Sequence, residues 1–338
     1  MRKLFILTAF YFFVLSCHKN SPSQGNTLLL CFDTTFVNTN IVGLASVFFL
    51  NDKDGFVSTY NGGLYQTTDS ARTWTALNSL TTLPIKGLWF LDSQTGFAVG
   101  GLNSCGGIGC IPPGGFILKT TDGGQSWAKI YTPADKVEIT SIYFVNATLG
   151  FCAGDNVVFK TTNGGQTWSE YKINNLGGKM MQIKFINSQK GYIVCLFDKI
   201  LITEDGGLSW QVTSPNRNTG YYSISESGSS TFVSGQGKII KSINGGASWS
   251  ELPNSPGDIF NIHFLNDRIG FAFGRGNYSS GGDFVTPYGS IYCTNDGGNT
   301  WNGTADIKEV GIIQSVSFPS NKIGYAVSGN KIIRLYVK

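Results

Sequence analysis

The stretch that decides the fold is Thr161-Thr162-Asn163-Gly164-Gly165-Gln166-Thr167-Trp168. Its pattern, which we call the box, is a hydroxyl residue, any residue, Asp or Asn, any residue, Gly, any residue, a second hydroxyl residue and Trp. Six copies occur, and the first departs from the pattern by carrying Ala71 at the Gly position. Such repetition predicts a repeated structural unit. The Asp or Asn and the Trp of the six boxes are Asp69 and Trp74, Asp122 and Trp127, Asn163 and Trp168, Asp205 and Trp210, Asn244 and Trp249, and Asp296 and Trp301.

Each box has the composition of a tight turn between two strands. Hydroxyl and Asp or Asn side chains accept hydrogen bonds from nearby backbone N–H groups, and Gly takes a positive φ at little cost. The Trp then enters a strand and buries its ring. The alternative is a carboxylate cluster that binds Ca²⁺, but two boxes carry Asn and calcium needs six to eight convergent oxygens. We therefore expect structural boxes, no metal and no cofactor.

A second pattern precedes the boxes and defines the repeating unit. It consists of Phe, a Gly six residues later and then an aromatic residue, as in Phe144, Gly150 and Phe151. Six clear copies and a degenerate one at 223–232 give seven units, each of which predicts four strands. In the third unit we expect strands at 141–144, 151–154, 157–161 and 168–172. Four-stranded units of about 40 residues, repeated in this way, are typical of a β-propeller.

The two ends of the chain predict how the ring closes. The seventh unit, 314–338, supplies three strands, whereas Leu28–Phe36 precedes the first unit without a partner. Pairing of Leu28–Phe36 with Ile332–Val337 would complete the last blade and remove two exposed strand edges. The predicted fold is therefore all-β, a seven-bladed propeller of four-stranded blades over residues 28–338.

The N-terminal segment has the features of a targeting signal. Arg2 and Lys3 precede the apolar run Leu4–Leu15, which is too short to span a bilayer. The following Leu15-Ser16-Cys17 resembles a bacterial lipoprotein signal. We therefore expect residues 1–16 to be removed, Cys17 to carry the lipid and residues 17–27 to form the lipidated tether. His18, directly after Cys17, favours the outer membrane of a bacterial cell envelope.

Charge and cysteine usage narrow the possible partners. Loss of residues 1–16 leaves 23 Lys and Arg against 21 Asp and Glu. This small net positive charge does not indicate the concentrated basic surface that nucleic-acid binding requires. Cys105 and Cys110 share one Gly-rich loop, and we expect a disulfide there in an exported protein. The remaining cysteines lie in apolar strand patterns, where buried thiols are expected: Cys31, Cys152, Cys195 and Cys293. We expect a monomer.

The repeated Thr-x-Asp-Gly-Gly-x-Thr-Trp box and the upstream Gly-Phe-Ala-x-Gly resemble the Asp-box, or bacterial neuraminidase repeat, propellers. In length and unit pattern the chain is similar to the photosystem II stability/assembly factor family and its bacterial relatives. The resemblance covers about residues 28–338. It implies a seven-bladed propeller that acts as an assembly scaffold, without catalysis.

The long segments 101–115 and 274–289 are inserted between the second and third strands of their units, on the face opposite the boxes. We expect a binding site where these loops meet the connections between units, over the central channel. Long polar and aromatic side chains there suit a protein or glycan partner in the envelope. The candidate binding residues are Lys136, Lys179, Arg217, Tyr221, Arg275 and Tyr278.

A glycoside-acting enzyme is the alternative, since sialidases also carry Asp boxes. A sialidase needs three convergent arginines, and the mature chain offers only Arg72, Arg217, Arg268, Arg275 and Arg334. An ordinary glycosidase needs two carboxylates roughly 5–9 Å apart. The candidates on the insertion side are Asp135, Glu138, Asp258, Asp283 and Glu309, and nothing in the sequence pairs them. We read His263 as an interior or channel histidine.

Overall fold

The computed structural model describes residues 32–102, 114–174, 176–215, 219–275, 288–307 and 310–338. Over these ranges the chain is all-β and forms seven four-stranded antiparallel sheets. In six of them the strands are consecutive, and the seventh combines the last three strands with the first. The seven sheets are the blades of a β-propeller, as the sequence predicts.

The first three blades contain strands β2 to β13. The strands of blade 1 are β2 Leu44–Phe49, β3 Gly55–Thr59, β4 Leu64–Thr67 and β5 Thr75–Leu77. The strands of blade 2 are β6 Ile85–Phe90, β7 Gly96–Leu102, β8 Gly114–Thr120 and β9 Ala128–Tyr131. The strands of blade 3 are β10 Ile139–Phe144, β11 Gly150–Gly154, β12 Val157–Thr161 and β13 Ser169–Lys172.

The remaining blades follow the same order until the last. The strands of blade 4 are β14 Met180–Phe185, β15 Gly191–Cys195, β16 Ile200–Thr203 and β17 Gln211–Thr213. The strands of blade 5 are β18 Tyr221–Ser227, β19 Ser230–Gly235, β20 Ile239–Ser242 and β21 Ser250–Glu251. The strands of blade 6 are β22 Ile259–Phe264, β23 Gly270–Arg275, β24 Gly289–Thr294 and β25 Asn302–Ile307. The strands of blade 7 are β26 Ser315–Ser317, β27 Ile323–Ser328, β28 Lys331–Val337 and β1 Phe32–Asn38.

The ring closes as predicted, by pairing the start of the chain with its end. Strand β1 is antiparallel to β28, with Phe32 opposite Val337 and Asn38 opposite Lys331. The predicted strand 28–36 is thus confirmed for residues 32–36 and extends to Asn38, while residues 28–31 lie outside the described ranges. Because β1 pairs with β28, blade 7 has four strands like the other blades, and β28 is not an exposed edge strand.

The two ends of the strands define two faces of the disc. The box face carries the six boxes and the turns from first to second strands. The insertion face carries the connections from second to third strands and from each fourth strand to the next blade. Successive first strands contact one another around the ring, as β2 does with β6 and β10 with β14, so they form the inner wall.

Stacked aromatic rings hold neighbouring blades together. In six of the seven blades a Phe at or just after the end of the first strand stacks on an aromatic residue in the second strand of the preceding blade, with ring centroids 3.5–5.2 Å apart. Five of these Phe rings also receive the edge of the box Trp of their own blade, at 6.0–6.3 Å. The stacked pairs are Phe56–Phe90, Phe97–Phe144, Phe151–Phe185, Phe232–Phe264, Phe271–Phe318 and Tyr325–Phe49.

The Gly of the Phe…Gly pattern is required by the same rings. Opposite each stacking Phe, the second strand carries a Gly, and a Cβ there would come within 3 Å of the Phe ring. Gly96, for example, pairs with Phe90 across β6 and β7 and lies directly against its ring. The pattern is therefore explained by packing between and within blades.

Blade 5 is the exception to this packing. Glu226 occupies the position of the stacking Phe, and Thr231, its partner in β19, replaces the Gly. Glu226 Oε1 is shielded from solvent and makes no hydrogen bond to the described residues. Burial raises the pKa of Glu226, and the charge of Lys184 opposes this. The interface between blades 4 and 5 therefore lacks the aromatic clamp of the others.

The boxes are turns, as predicted. Thr161 Oγ1 donates to Asn163 Oδ1 at 2.9 Å and accepts from the N–H of Gly165 at 2.9 Å. Asn163 in turn accepts from the N–H of Thr167 at 3.0 Å. Gly164 and Gly165 both have positive φ, and so do Ser70 and Ala71 in the first box, where the strain falls on non-Gly residues. The hydroxyl and Asp or Asn side chains of each box are engaged within the turn and leave no convergent ligand set. Of the six box Trp residues, Trp127 donates its indole N–H to the carbonyl of Gly124 at 3.0 Å.

The aspartate boxes predict a specific acid sensitivity. Hydrogen bonds from the hydroxyl and the N–H of Ser126 lower the pKa of Asp122 to about 2. Since the pKa in the folded state lies below the unfolded value, this stability is present above about pH 4 and is lost as the pH falls through 2. Asp122→Asn, which copies the Asn163 box, should therefore change the melting temperature more at pH 6 than at pH 2.5. A difference that does not vary with pH would contradict this origin of the pKa shift.

The buried cysteines agree with the sequence reading where they are described. Cys152 and Cys195 are unpaired buried thiols, and Cys293 is buried as well. The predicted disulfide between Cys105 and Cys110, the lipidation at Cys17 and the thiol Cys31 lie outside the described residues. They remain predictions.

Candidate functional site

The starts of the first strands surround the opening of the central channel on the insertion face, which we call the channel mouth. Glu138 and Lys179 directly precede β10 and β14, and Lys86 is the second residue of β6. The ring brings these three residues together, although 93 positions separate the first from the last. This convergence depends on closure of the propeller rather than on any local motif.

A buried carboxylate with two lysines is the strongest electrostatic feature of the mouth. Glu138 is only 2% exposed, and its Oε1 accepts from Lys86 Nζ and from Lys179 Nζ, the latter at 2.5 Å. The two lysines remain 21% and 31% exposed, so their ammonium groups border solvent. Two cations on one carboxylate leave a net charge of about +1 at the mouth, where an acidic group of a ligand is favoured.

The rest of the mouth is aromatic and amide-bearing. Tyr222 and Phe260, in the first strands of neighbouring blades, lie with ring centroids 4.9 Å apart. Gln236 Nε2 donates to the Tyr222 hydroxyl at 3.1 Å. From blade 1, the Tyr60 hydroxyl donates to Gln314 Oε1 at 2.9 Å. These partly exposed rings offer flat apolar surface beside the charged cluster, a combination typical of protein-binding sites.

An exposed apolar rim continues the mouth at blade 1. Val42, Tyr60 and Leu80 are 72%, 46% and 55% exposed. They are adjacent, because the N–H of Tyr60 donates to the carbonyl of Gly43 and the turn at Gly62 packs against the segment that follows Leu80. Three neighbouring exposed apolar side chains on one face indicate an interaction surface rather than a random distribution.

The six predicted binding residues lie in different surroundings. Lys179 belongs to the mouth, and Lys136 is an exposed residue of the connection before β10. Arg275, at the end of β23, binds Asp258 through Nε and Nη2, at 2.9 and 2.6 Å from Oδ2. Arg217 and Tyr278 lie outside the described residues.

Tyr221 requires a correction. Its side chain is fully buried in the cluster that contains Val194 and Ile224, so it offers no binding surface. The sequence predicts a connecting loop here, but Tyr221 is the first residue of β18 and takes the position that the buried Ile139 and Met180 hold in β10 and β14. Tyr222, the next residue, is the one at the mouth.

Further along the channel, towards the box face, the inner wall carries Tyr143, Lys184 and His263 at equivalent strand positions. The ring of His263 stacks on Phe318 with centroids 4.4 Å apart, and burial followed by the charge of Lys184 lowers its pKa to about 3. His263 is therefore an interior histidine, as predicted, and is neutral at physiological pH.

The described carboxylates of the mouth are held by cations. Glu138 is paired with Lys86 and Lys179, and Asp258 is paired with Arg275 and accepts from the N–H of Gly237 at 2.9 Å. Asp135 is exposed and paired with Lys172. Arg72 and Arg268 lie in turns of the box face, as expected, and Arg334 donates to the carbonyl of Ser70. These arrangements suit recognition of a ligand better than proton transfer to one.

Other kinds of site find no support among the described residues. No group of three or more His, Cys, Asp or Glu side chains in these ranges could hold a metal ion. Searched over the same part of the chain, no helix has the length and apolarity to cross a bilayer. Two open grooves at the outer edge of the disc, one beside Trp74 and one beside Trp210, lie away from the mouth.

Comparisons by family, by sequence and by structure all find similarity to YCF48 proteins. The family described as photosynthesis system II assembly factor YCF48 matches residues 174–331. The photosystem II assembly lipoprotein Ycf48 of Synechococcus sp. (strain CC9902) is 27% identical over 157 residues. That match spans 44% of this chain and 43% of the relative, so it covers less than half of either protein.

Solved structures extend the likeness in fold to nearly the whole chain. A structure described as YCF48 bound to D1 peptide has a TM-score of 0.68 at 18% identity and covers 90% of this chain and 97% of that one. YCF48 from Cyanidioschyzon merolae has a TM-score of 0.68 at 15% identity, and the match covers 89% of this chain and 98% of that one. A xyloglucanase from Xanthomonas campestris has a TM-score of 0.64 at 12% identity, and the match covers 88% of this chain and 53% of that one. The fold therefore also occurs in an enzyme. The chain is a seven-bladed Asp-box propeller similar to the photosystem II assembly factor family.

Proposed function

We propose that this protein is a non-catalytic binding propeller that holds a segment of a partner protein at the channel mouth and thereby acts as an assembly scaffold. The observation that carries the proposal is the cluster of Lys86, Glu138 and Lys179 beside partly exposed aromatic rings. Its excess positive charge and apolar rim favour a segment that combines an acidic group with apolar side chains.

The related structure supports a polypeptide as the ligand. Its description names a bound D1 peptide, so a propeller of this fold has bound a peptide. For the present chain the partner is proposed to be a protein of the cell envelope. Residues 103–113 and 276–287 of the two inserted segments lie outside the described ranges. We propose that the segments 101–115 and 274–289 contribute to selection of the partner.

Attachment to a membrane is part of the proposal. The apolar run Leu4–Leu15 followed by Cys17 supports lipidation of Cys17, and one relative is itself named a lipoprotein. We place the protein in a bacterial cell envelope, anchored to the outer membrane through that lipid. Mass spectrometry of the N-terminal peptide of the mature protein tests the modification directly.

The mouth predicts which charge matters for partner capture. Lys179→Ala leaves Lys86 alone with Glu138 and removes the excess positive charge, so we expect affinity for the partner to fall about tenfold. Lys136→Ala, an exposed lysine of the same face, is the matched control and should bind as the wild type does. The partner would first be identified by pull-down of the tagged protein from its native envelope, and binding by purified variants would then be compared.

Two outcomes would count against this site. Equal affinity of Lys179→Ala and the wild type would show that the partner does not use the charged cluster. A loss of affinity accompanied by an equal loss in Lys136→Ala would indicate general attraction to positive charge. The melting temperature of Lys136→Ala should stay near that of the wild type, since exposed charge changes rarely alter stability by more than about 0.5 kcal/mol. Lys179→Ala removes one of the two cations on the buried Glu138 carboxylate, so some loss of stability is expected and its fold is checked by circular dichroism before affinities are compared.

Glycan binding and glycoside hydrolysis are the competing functions. Glu138 and Asp258 each have cationic partners, which is a poor setting for a general acid that must hold a proton near neutral pH. A panel of glycosides tests this alternative. Release of sugar that disappears in Glu138→Gln or Asp283→Asn would establish an enzyme and overturn the binding proposal.

A further inference from the structure

Two large apolar side chains on the insertion face belong to residues with a strained backbone. Leu80 and Phe197 have φ values of 56° and 65°, and among the described residues they are the only large apolar ones with positive φ. This left-handed region is unfavourable for residues with a Cβ, and especially for bulky ones. Both side chains are nevertheless 55% and 65% exposed. Burial of the side chain therefore does not compensate for the strain.

Comparison among the blades shows that folding of the turn does not require Phe197, which lies between β15 and β16. The corresponding turns of blades 1, 3, 5 and 7 place at positive φ Gly62, Asn156, Gly237 and Gly329. Gly and Asn adopt this conformation at low cost, whereas blade 4 places an aromatic residue there. Strained positions of this kind are more typical of ligand contacts than of folding.

The two residues lie on either side of the charged cluster at the channel mouth. Leu80 belongs to the connection from β5 to β6 and precedes Lys86 by six residues. Phe197 follows Leu196, whose N–H donates to the carbonyl of Lys179 at 2.9 Å. Because the ammonium groups of Lys86 and Lys179 meet at one carboxylate, a path from Leu80 to Phe197 crosses the cluster.

The charges next to Phe197 are balanced locally. The carboxylate of Asp198 is paired with Lys199 Nζ at 3.2 Å, and the same Nζ donates to Ser214 Oγ at 2.8 Å. The excess positive charge on this path therefore comes from the cluster of Lys86 and Lys179. An acidic group is attracted there, while apolar surface is offered before and after it.

We propose that Leu80 and Phe197 are apolar anchors that select, as the segment held at the channel mouth, a sequence with one acidic residue between two apolar residues. This inference deepens the proposed function and rests on it. The acidic side chain binds at Lys86 and Lys179, and the two apolar side chains pack on the anchors. A backbone that already holds the anchors outwards reduces the conformational entropy lost on binding.

A peptide array tests this selection with the full chain. The array carries short peptides in which one Glu lies between two Leu or Phe residues at several separations. Matched copies carry Lys in place of the Glu, or Ser in place of both apolar residues. The chain should bind its preferred peptide at least about tenfold more tightly than either matched copy. Equal binding of the matched copies would overturn the inference.

Variants of the two anchors separate a binding role from a structural one. Phe197→Asn and Leu80→Asn introduce a residue type that adopts the same backbone conformation more readily. Each should lower affinity for the preferred peptide about tenfold, yet raise the melting temperature by about 1–2 °C because strain is relieved. Ile243→Asn, at a position 71% exposed on the box face, is the matched control and should leave the affinity unchanged. A melting temperature that falls together with the affinity would indicate a structural role and contradict the inference.

Lys179→Ala distinguishes failure of this inference from failure of the proposed function. Loss of affinity in Lys179→Ala, with wild-type affinity in both Asn variants, would overturn the anchors and leave the charged mouth intact. Loss of affinity in all three variants would support the inference. Wild-type affinity in Lys179→Ala would refute the charged mouth and, with it, the selection of an acidic residue.

Discussion

Phe90→Ala is expected to lower the free energy of unfolding by about 3–5 kcal/mol. Phe90 is 4% exposed, stacks on Phe56 of blade 1 at 3.9 Å and receives the edge of Trp127 at 6.0 Å. The substitution removes both contacts and leaves a cavity that the rigid blades cannot close, because Gly96 has no side chain to fill it. Chemical denaturation followed by tryptophan fluorescence measures the change.

A matched control separates this packing effect from loss of an aromatic residue in general. Phe197→Ala removes a ring that is 65% exposed and should change stability by no more than about 0.5 kcal/mol. If Phe90→Ala were as mild as Phe197→Ala, the stacked rings would not be what joins the blades. The proposed physical origin of the Phe…Gly pattern would then be wrong.

Glu226→Phe combined with Thr231→Gly is expected to stabilise the protein by about 1–2 kcal/mol. The pair restores the packing of the other blades, in which a Phe stacks on the preceding blade and a Gly makes room for it. Burial of a Phe contributes about 1.5–3 kcal/mol, and the new Gly costs about 0.5–1 kcal/mol in backbone entropy. The double variant also removes a buried carboxylate oxygen without a hydrogen-bond partner among the described residues. It withdraws at the same time the negative charge that favours the ammonium form of the buried Lys184, which offsets part of the gain.

The single variants show whether the two positions are coupled. Glu226→Phe alone should destabilise by about 1–3 kcal/mol, because the Thr231 side chain occupies the space that the ring needs. Thr231→Gly alone should also destabilise, since it opens a gap beside Glu226. A double-mutant cycle measures the coupling, and additive effects would contradict the packing explanation.

The pH dependence of the two forms provides an additional check on Glu226. Its folded-state pKa is raised by burial, so its stabilising contribution is present below the unfolded pKa and is lost as the pH rises through the folded value. The wild type should therefore lose stability relative to the double variant as the pH rises from 4 towards neutrality.

Much of the fold could be predicted from the sequence because its signals are local and repeated. The box and the Phe…Gly pattern locate turns and strand ends, and the predicted third strand of unit three, 157–161, coincides with β12. Closure was predictable because 28–36 and 332–337 were the only strands left without partners. The predicted strand ends differ from the observed ones by one or two residues; β10, for example, begins at Ile139 rather than at position 141. Differences of this size depend on the last hydrogen bonds of a strand, which the sequence pattern does not reveal.

The site was less predictable because it depends on long-range geometry. Lys86, Glu138 and Lys179 belong to three different blades, and only the closed ring brings their charged groups into contact. Tyr60 and Gln314 are joined across the ring closure in the same way. The sequence pattern places Tyr221 in a connection between units, whereas β18 begins at Tyr221 and its side chain is buried.

The most direct test of the central claim, that the channel mouth holds the partner, is crosslinking from defined positions in the native envelope. A photoreactive amino acid at Tyr60, which is 46% exposed at the mouth, should give a covalent adduct with one partner protein. The same group at Thr121, in a box on the opposite face, should give no such adduct. An adduct that forms from Thr121 but not from Tyr60 would contradict the account.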